Sequence, residues 1–233
     1  MSGQIQRWHV FADSETLLRQ AQQKLVQAAQ TAIQGRGRFD LVLAGGSTPR
    51  GLYQRLALSH AGDPDWHVWF GDERCLPAGH IDRNETMARQ AWLDHADIPG
   101  DQIHGIPDAA DPETAARSYS RILAEVGEFD LVLLGVGEDG HTASLFPGQD
   151  IGLMPSAADA VPVHEAPKPP PERVSLSARR LSQANNVFVL ITGAAKADAV
   201  MRWRRGEDLP IVHVRPSAGV DILIDEAAMG VTR

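Results

Sequence analysis

Residues 135–141 (GVGEDGH) place a histidine, two carboxylates and three glycines directly after the apolar run Leu131-Val132-Leu133-Leu134. An imidazole ordinarily titrates near neutrality, which makes His141 the candidate general base. Asp139, two residues earlier, is placed to hold that ring in one tautomer. Glycines let backbone N–H groups come close to a ligand. A catalytic metal needs three or four ligands in fixed geometry. The other histidines are scattered (9, 60, 67, 80, 95, 104, 164 and 213), so no metal is expected. The single Gly135-Val136-Gly137 is weak evidence for a dinucleotide, and no cofactor is expected.

Two further turns carry groups suited to an anion. Residues 44–50 (AGGSTPR) lie between an apolar run and a helical pattern. Gly45 and Gly46 permit a tight turn. Ser47 and Thr48 supply hydroxyls, Thr48 also as a helix cap, and a helix N-terminus favours negative charge. The Gly-Lys-Ser/Thr ending of a P-loop is absent. Residues 70–75 (FGDERC) put Asp72 and Arg74 at another strand end. Arg74 can clamp an anion or stabilise developing negative charge. Asp72 can orient a base or accept sugar hydroxyls. Arg173 and Lys196 are candidate phosphate anchors. Arg179, Arg180, Arg202, Arg204 and Arg205 read as solvated charges, and Cys75 as structural.

These groups need a scaffold that gathers strand ends. Apolar runs at 8–11, 40–44, 66–70, 131–135 and 187–192 alternate with helical spacing at 14–34, 84–95, 112–126 and 194–204, and Pro49 opens a further helix. Short runs at 211–214 and 221–224 complete the series. Alternating β and α elements predict an α/β fold, a mainly parallel open sheet with helices on both faces. Gly35 and Gly37 are expected to end the first helix. The proline-rich stretch 167–171 reads as a loop. The chain, residues 1–233, is expected to form a single domain.

A net charge of −8 argues against nucleic acid or an anionic membrane as partner, though not against a small anion met by a local basic cluster. One cysteine excludes an intramolecular disulfide. No signal-peptide pattern and no long apolar stretch is visible, so a cytoplasmic location is expected. A monomer or weak homodimer is the expected state.

Four segments together, 43–52 (LAGGSTPRGL), 70–77 (FGDERCLP), 135–147 (GVGEDGHTASLFP) and 193–196 (GAAK), resemble the 6-phosphogluconolactonase family, and 169–174 (PPPERV) extends the likeness over most of the chain. The resemblance implies a Rossmann-like α/β domain and hydrolysis of 6-phospho-D-glucono-1,5-lactone, the second step of the oxidative pentose phosphate pathway, without a cofactor. It implies His141 as base, Asp139 as its orienting group and Arg74 at the oxyanion. The turn 45–48, Arg173 and Lys196 would hold the 6-phosphate. One departure is Arg83, where the family usually has serine, and a positive charge at the substrate mouth is expected from it. The related glucosamine-6-phosphate deaminases carry DGHIAFNEP in the third segment. Here Ser144-Leu145-Phe146-Pro147 removes the glutamate that serves ring opening. A non-catalytic sugar-phosphate sensor would keep the anion site without the base.

Overall fold

The computed structural model describes residues 3–108 and 111–231. In chain order the strands are β1 (Gln6–Phe11), β2 (Phe39–Leu43), β3 (Trp66–Phe70), β4 (Asp72–Arg74), β5 (Ile103–His104), β6 (Phe129–Leu134), β7 (Ala160–Val163), β8 (Arg173–Leu176), β9 (Ala184–Ile191) and β10 (Val220–Asp225). The helices are α1 (Ser14–Arg36), α2 (Ser47–Leu58), α3 (Asn84–Ala91), α4 (Pro112–Leu123), α5 (Ala178–Leu181) and α6 (Ala197–Arg204). Seven strands form one sheet in the order β1-β10-β9-β6-β2-β3-β5, every pair parallel. Strands β2, β6 and β10 are buried at every position, as expected of mainly apolar strands covered on both faces.

From β2 the chain moves outward to β3 and β5. It then returns to the other side of β2 as β6 and continues through β9 to β10. The winding therefore reverses between β2 and β6. Loops leaving those two strands diverge, and a crevice opens at their carboxyl ends.

Local signals explain most element boundaries. Asp13 accepts a hydrogen bond from the Thr16 N–H at 2.8 Å and starts α1. Gly37, at φ 76°, ends it, donating its N–H to the Ile33 carbonyl. Gly35 lies inside the helix. Leu17, Ala21, Leu25 and Ala29 form the buried stripe of α1 at a spacing of four. Asp111 caps α4 in the same way, with Pro112 in its first turn. The helical pattern at 84–95 splits into α3 and a 3₁₀ turn at Leu93–His95. Between them Trp92 leaves helical geometry, fully buried with its indole N–H on the Ala61 carbonyl at 2.7 Å. The run at 211–214 lies largely in a 3₁₀ turn, Pro210–His213, started by a proline whose φ suits a helical turn.

A second, antiparallel sheet of order β4-β8-β7 was not legible in the sequence. Gly71 makes it possible. Its N–H donates to the Leu43 carbonyl of β2 and its own carbonyl accepts from the Leu176 N–H of β8, so one residue ties the two sheets together. Arg180 also departs from expectation, because it is buried rather than solvated. Its guanidinium lies 4.1 Å from the Phe129 ring centroid and donates to the carbonyls of Val126 and Gly127.

At the β3–β5 edge, His67 Nδ1 and His104 Nε2 lie 3.2 Å apart, and the His104 ring stacks on Trp69 at 3.8 Å. Burial, helped by His67 and Arg38, pushes His104 down to about 4. The unfolded chain takes up that proton near pH 6.5, roughly the free imidazole value. The stabilisation from the neutral ring is complete above that pH and is lost as pH falls toward 4. His104→Phe, which keeps a ring on Trp69, should lose less stability than the parent between pH 7.5 and 4.5. Urea midpoints at the two pH values measure this, and equal losses would contradict it.

Candidate active site

The crevice between β2 and β6 is a cleft of about 340 Å³. Its floor begins with the end of β2. The Tyr53 hydroxyl on α2 donates to the Ala44 carbonyl at 2.8 Å and accepts from the Ala44 N–H at 2.9 Å. Tyr119, the only other tyrosine in the chain, grips Phe70 at the end of β3 through the same pair of groups. Burial pushes both phenols far above their ordinary range, so they act as neutral clamps.

Gly45 and Gly46 line the cleft. A Cβ on Gly45 would fall 2.1 Å from Asn84 Oδ1, and Gly46 has φ 101°, so neither position accepts a side chain without rearrangement. No side chain caps α2. Its first-turn N–H groups therefore remain available to an anion. The expected cap from Thr48 is corrected: its hydroxyl pairs with that of Thr192, 2.6 Å away beyond β9. Ser47 lines a neighbouring groove beside Arg50 and Arg74 and is absent from the lining of the main cleft.

The turn bearing His141 follows β6. Asp139 Oδ1 accepts from His141 Nδ1 at 2.5 Å and from the His141 backbone N–H at 3.2 Å. Burial raises the Asp139 carboxyl, but the His141 charge and hydrogen bonds outweigh it and hold the group below the usual carboxylate range. His141 lines the cleft, and with Nδ1 donating to Asp139 its Nε2 has no hydrogen-bond partner among the described residues. The Phe146 ring flanks the imidazole at 4.7 Å. Gly135, Gly137 and Gly140 have dinucleotide-like spacing, but no helix follows them to receive a pyrophosphate. Instead the turn closes on itself: Gly137 N–H donates to the His141 carbonyl, and the Thr142 hydroxyl to the Gly135 carbonyl.

Arg74 and Arg173 face each other across the β4–β8 pair. Like charges directly opposite are unfavourable in a sheet. Burial, together with Arg74, pulls the Arg173 guanidinium below its ordinary range. Arg74 Nε is buried without a hydrogen-bond partner among the described residues, while its Nη1 donates to the Asp82 carbonyl. Lys196 ends a 3₁₀ turn after β9 and has no side-chain partner among the described residues. With Lys168, four cationic side chains line the cleft against one carboxylate, Asp72, in a chain of net charge −8. Such an excess suits a bound anion.

Asp72 does not touch His141. Its Oδ2 accepts from the Ser144 hydroxyl at 2.6 Å, and Oδ1 from Asn84 Nδ2 at 3.1 Å. Asn84 and Lys168 are cleft residues that sequence reasoning left out; only the resemblance in the segment after residue 80 pointed to Asn84. Arg83 is corrected as well. It is 2% exposed, with Nη1 and Nη2 on the carbonyls of Leu76 and Ile106 and Nε 3.6 Å from buried Glu73, so it adds no charge at the mouth. Burial pushes the Cys75 thiol up to about 11, consistent with an inert residue.

A Cβ on Gly137 would lie 2.1 Å from His141 Nδ1 and 2.6 Å from Asp139 Oδ1. Gly137→Ala should therefore displace the imidazole and cut turnover by about 10²-fold, the scale of a misplaced catalytic group. Steady-state kinetics alongside a thermal melt checks this; full activity in a folded variant would contradict it.

The chain matches the family of glucosamine-6-phosphate isomerases/6-phosphogluconolactonase over residues 12–223. It is 35% identical to a 6-phosphogluconolactonase of Mycobacterium leprae, with 94% of this chain and 95% of that protein covered. It is 38% identical to a 6-phosphogluconolactonase of Synechocystis, again with 94% and 95% covered. The structure of 6-phosphogluconolactonase from Trypanosoma brucei superposes with a TM-score of 0.86 at 30% identity, covering 99% of this chain and 100% of that one. The chain belongs to the glucosamine-6-phosphate isomerase/6-phosphogluconolactonase family.

Proposed function

We propose that this protein hydrolyses 6-phospho-D-glucono-1,5-lactone to 6-phospho-D-gluconate in the oxidative pentose phosphate pathway, with His141 as general base. One observation carries this proposal: an imidazole with Nδ1 tied to Asp139 and Nε2 free, lining a cleft that gathers four cationic side chains and one carboxylate among the described residues. His141 Nε2 takes a proton from water as the water oxygen attacks C1. Charge then develops on the C1 oxygen, beside Arg74. The tetrahedral intermediate collapses by breaking the bond between C1 and the ring oxygen, the imidazolium returns its proton to that oxygen, and the new carboxylic acid at C1 loses its remaining proton to solvent. Asp139 keeps the ring oriented and steadies its positive form.

The magnitudes are adequate. A lactone is an activated ester, so no covalent nucleophile is required. A placed base contributes roughly 10²–10⁴ in rate. One oxyanion donor contributes about 3–4 kcal/mol. The 6-phosphate would sit among Gly45, Gly46, the open α2 N-terminus, Arg173 and Lys196, fixing C1 against the base. In the tail of the turn, Ser144 bonds Asp72 and Phe146 packs on His141, so this region supplies no additional acid for the deaminase chemistry of other family members. We further propose that residues 1–233 act as one domain in the cytoplasm, as a monomer or weak homodimer. No described helix is long and apolar enough to cross a membrane.

The lactone, generated in situ from glucose 6-phosphate, should disappear faster with the protein than without it. No acceleration over spontaneous hydrolysis would sink the proposal. His141→Ala should lower kcat by about 10²–10⁴ while changing 6-phosphogluconate affinity little. Equal losses in turnover and affinity would make His141 a ligand contact instead. Lys196→Ala should raise KM roughly tenfold at nearly constant kcat, the loss of one charge-assisted hydrogen bond; an unchanged KM removes it from the phosphate site.

A further inference from the structure

The segment between β7 and β8 borders the cleft, and Lys168 and Pro169 join its lining. Its backbone is held firmly. Ala166 N–H donates to the Pro171 carbonyl at 3.0 Å. Buried Arg173 donates through Nη2 to the Lys168 carbonyl at 2.7 Å and through Nε to the Pro170 carbonyl at 3.1 Å. Prolines at 167, 169, 170 and 171 restrict the remaining freedom. At its start, His164 bridges Glu113 and Glu172, at 2.7 Å each.

The Lys168 side chain is the loose part of this strap. It is 58% exposed, and its ammonium lies 3.7 Å from Oε2 of Glu138, itself 56% exposed. It makes no hydrogen bond among the described residues. An exposed pair at this separation costs little to break. Glu138 immediately precedes Asp139 in the turn that carries the base. A cation on a fixed strap is thus lightly held by a carboxylate of the catalytic turn.

Lactone hydrolysis changes charge at one place only. C1 is neutral in the substrate and a carboxylate in the product, while the phosphate is unaltered. Building on the lactonase proposal, we propose that Lys168 and Glu138 form an exchange gate for the product. Lys168 leaves Glu138 to pair with the carboxylate formed at C1, and Glu138 recaptures the ammonium as product departs. Lys168 then recognises product over substrate, and Glu138 competes with the product for the same cation. The exchange makes and breaks ion pairs only, with no covalent step.

The two partners should therefore act in opposite directions. Lys168→Ala should weaken 6-phosphogluconate binding about tenfold, the loss of one charge-assisted contact, and change the lactone KM far less. Glu138→Gln should tighten 6-phosphogluconate binding by roughly threefold, since a weak competing pair is removed. Calorimetric titration with 6-phosphogluconate reads affinity, and product inhibition with KM reads discrimination. Opposite shifts support the gate. Shifts in the same direction, or none, overturn it, because a merely structural ion pair has no reason to give opposite signs. Failure of the parent protein to hydrolyse the lactone would remove the lactonase proposal, and the calorimetric shifts would still decide the gate separately.

Discussion

The reversal of strand order between β2 and β6 is the constraint on which the rest of the structure depends. Parallel strands buried on both faces need crossovers, and crossovers of one hand wind the chain in one direction until it restarts on the other side. Where the winding restarts, the loops after two adjacent strands part. Here those loops are the glycine turn into α2 and the turn bearing His141. Residues about ninety positions apart in the chain become opposite walls of one cleft.

A second feature works against stability and for binding. Arg74 and Arg173 are cross-strand neighbours, and Arg173 is buried. The protein offsets some of this locally, with carbonyls of Asp82, Lys168 and Pro170 as acceptors and Asp72 nearby. The arrangement leaves positive potential directed into the cleft. The register of the small antiparallel sheet sets this pairing, and Gly71 attaches it to the strand ends of the large sheet. Two neutral clamps, Tyr53 and Tyr119, hold the ends of β2 and β3, and charged Arg173 holds the strap between β7 and β8.

Much of the site was legible because its residues cluster in short turns with telling composition. His141 and Asp139 are two apart and can interact through local geometry alone. Gly45 and Gly46 announce a turn wherever they occur. The apolar runs announced the buried strands for the same reason: period and burial are properties of a segment. The failures share one cause. Thr48 was assigned to its own helix, but its partner Thr192 is 144 residues away. Arg83 and Arg180 read as surface charges because their acceptors are backbone carbonyls, which no sequence marks. Asn84 and Lys168 reach the cleft only through the packing of α3 and of the strap between β7 and β8.

By itself, the sequence determined the alternation of strands and helices, the turns at the strand ends and the pairing of His141 with Asp139. Each follows from periodicity, glycine freedom or contacts a few residues long. Only the tertiary structure decided which strand ends became neighbours, that two arginines would face each other, and that Lys168 would meet Glu138 in the turn that carries His141. Those facts depend on strand order and cross-strand register, which are set by the packing of the whole chain and leave no local mark.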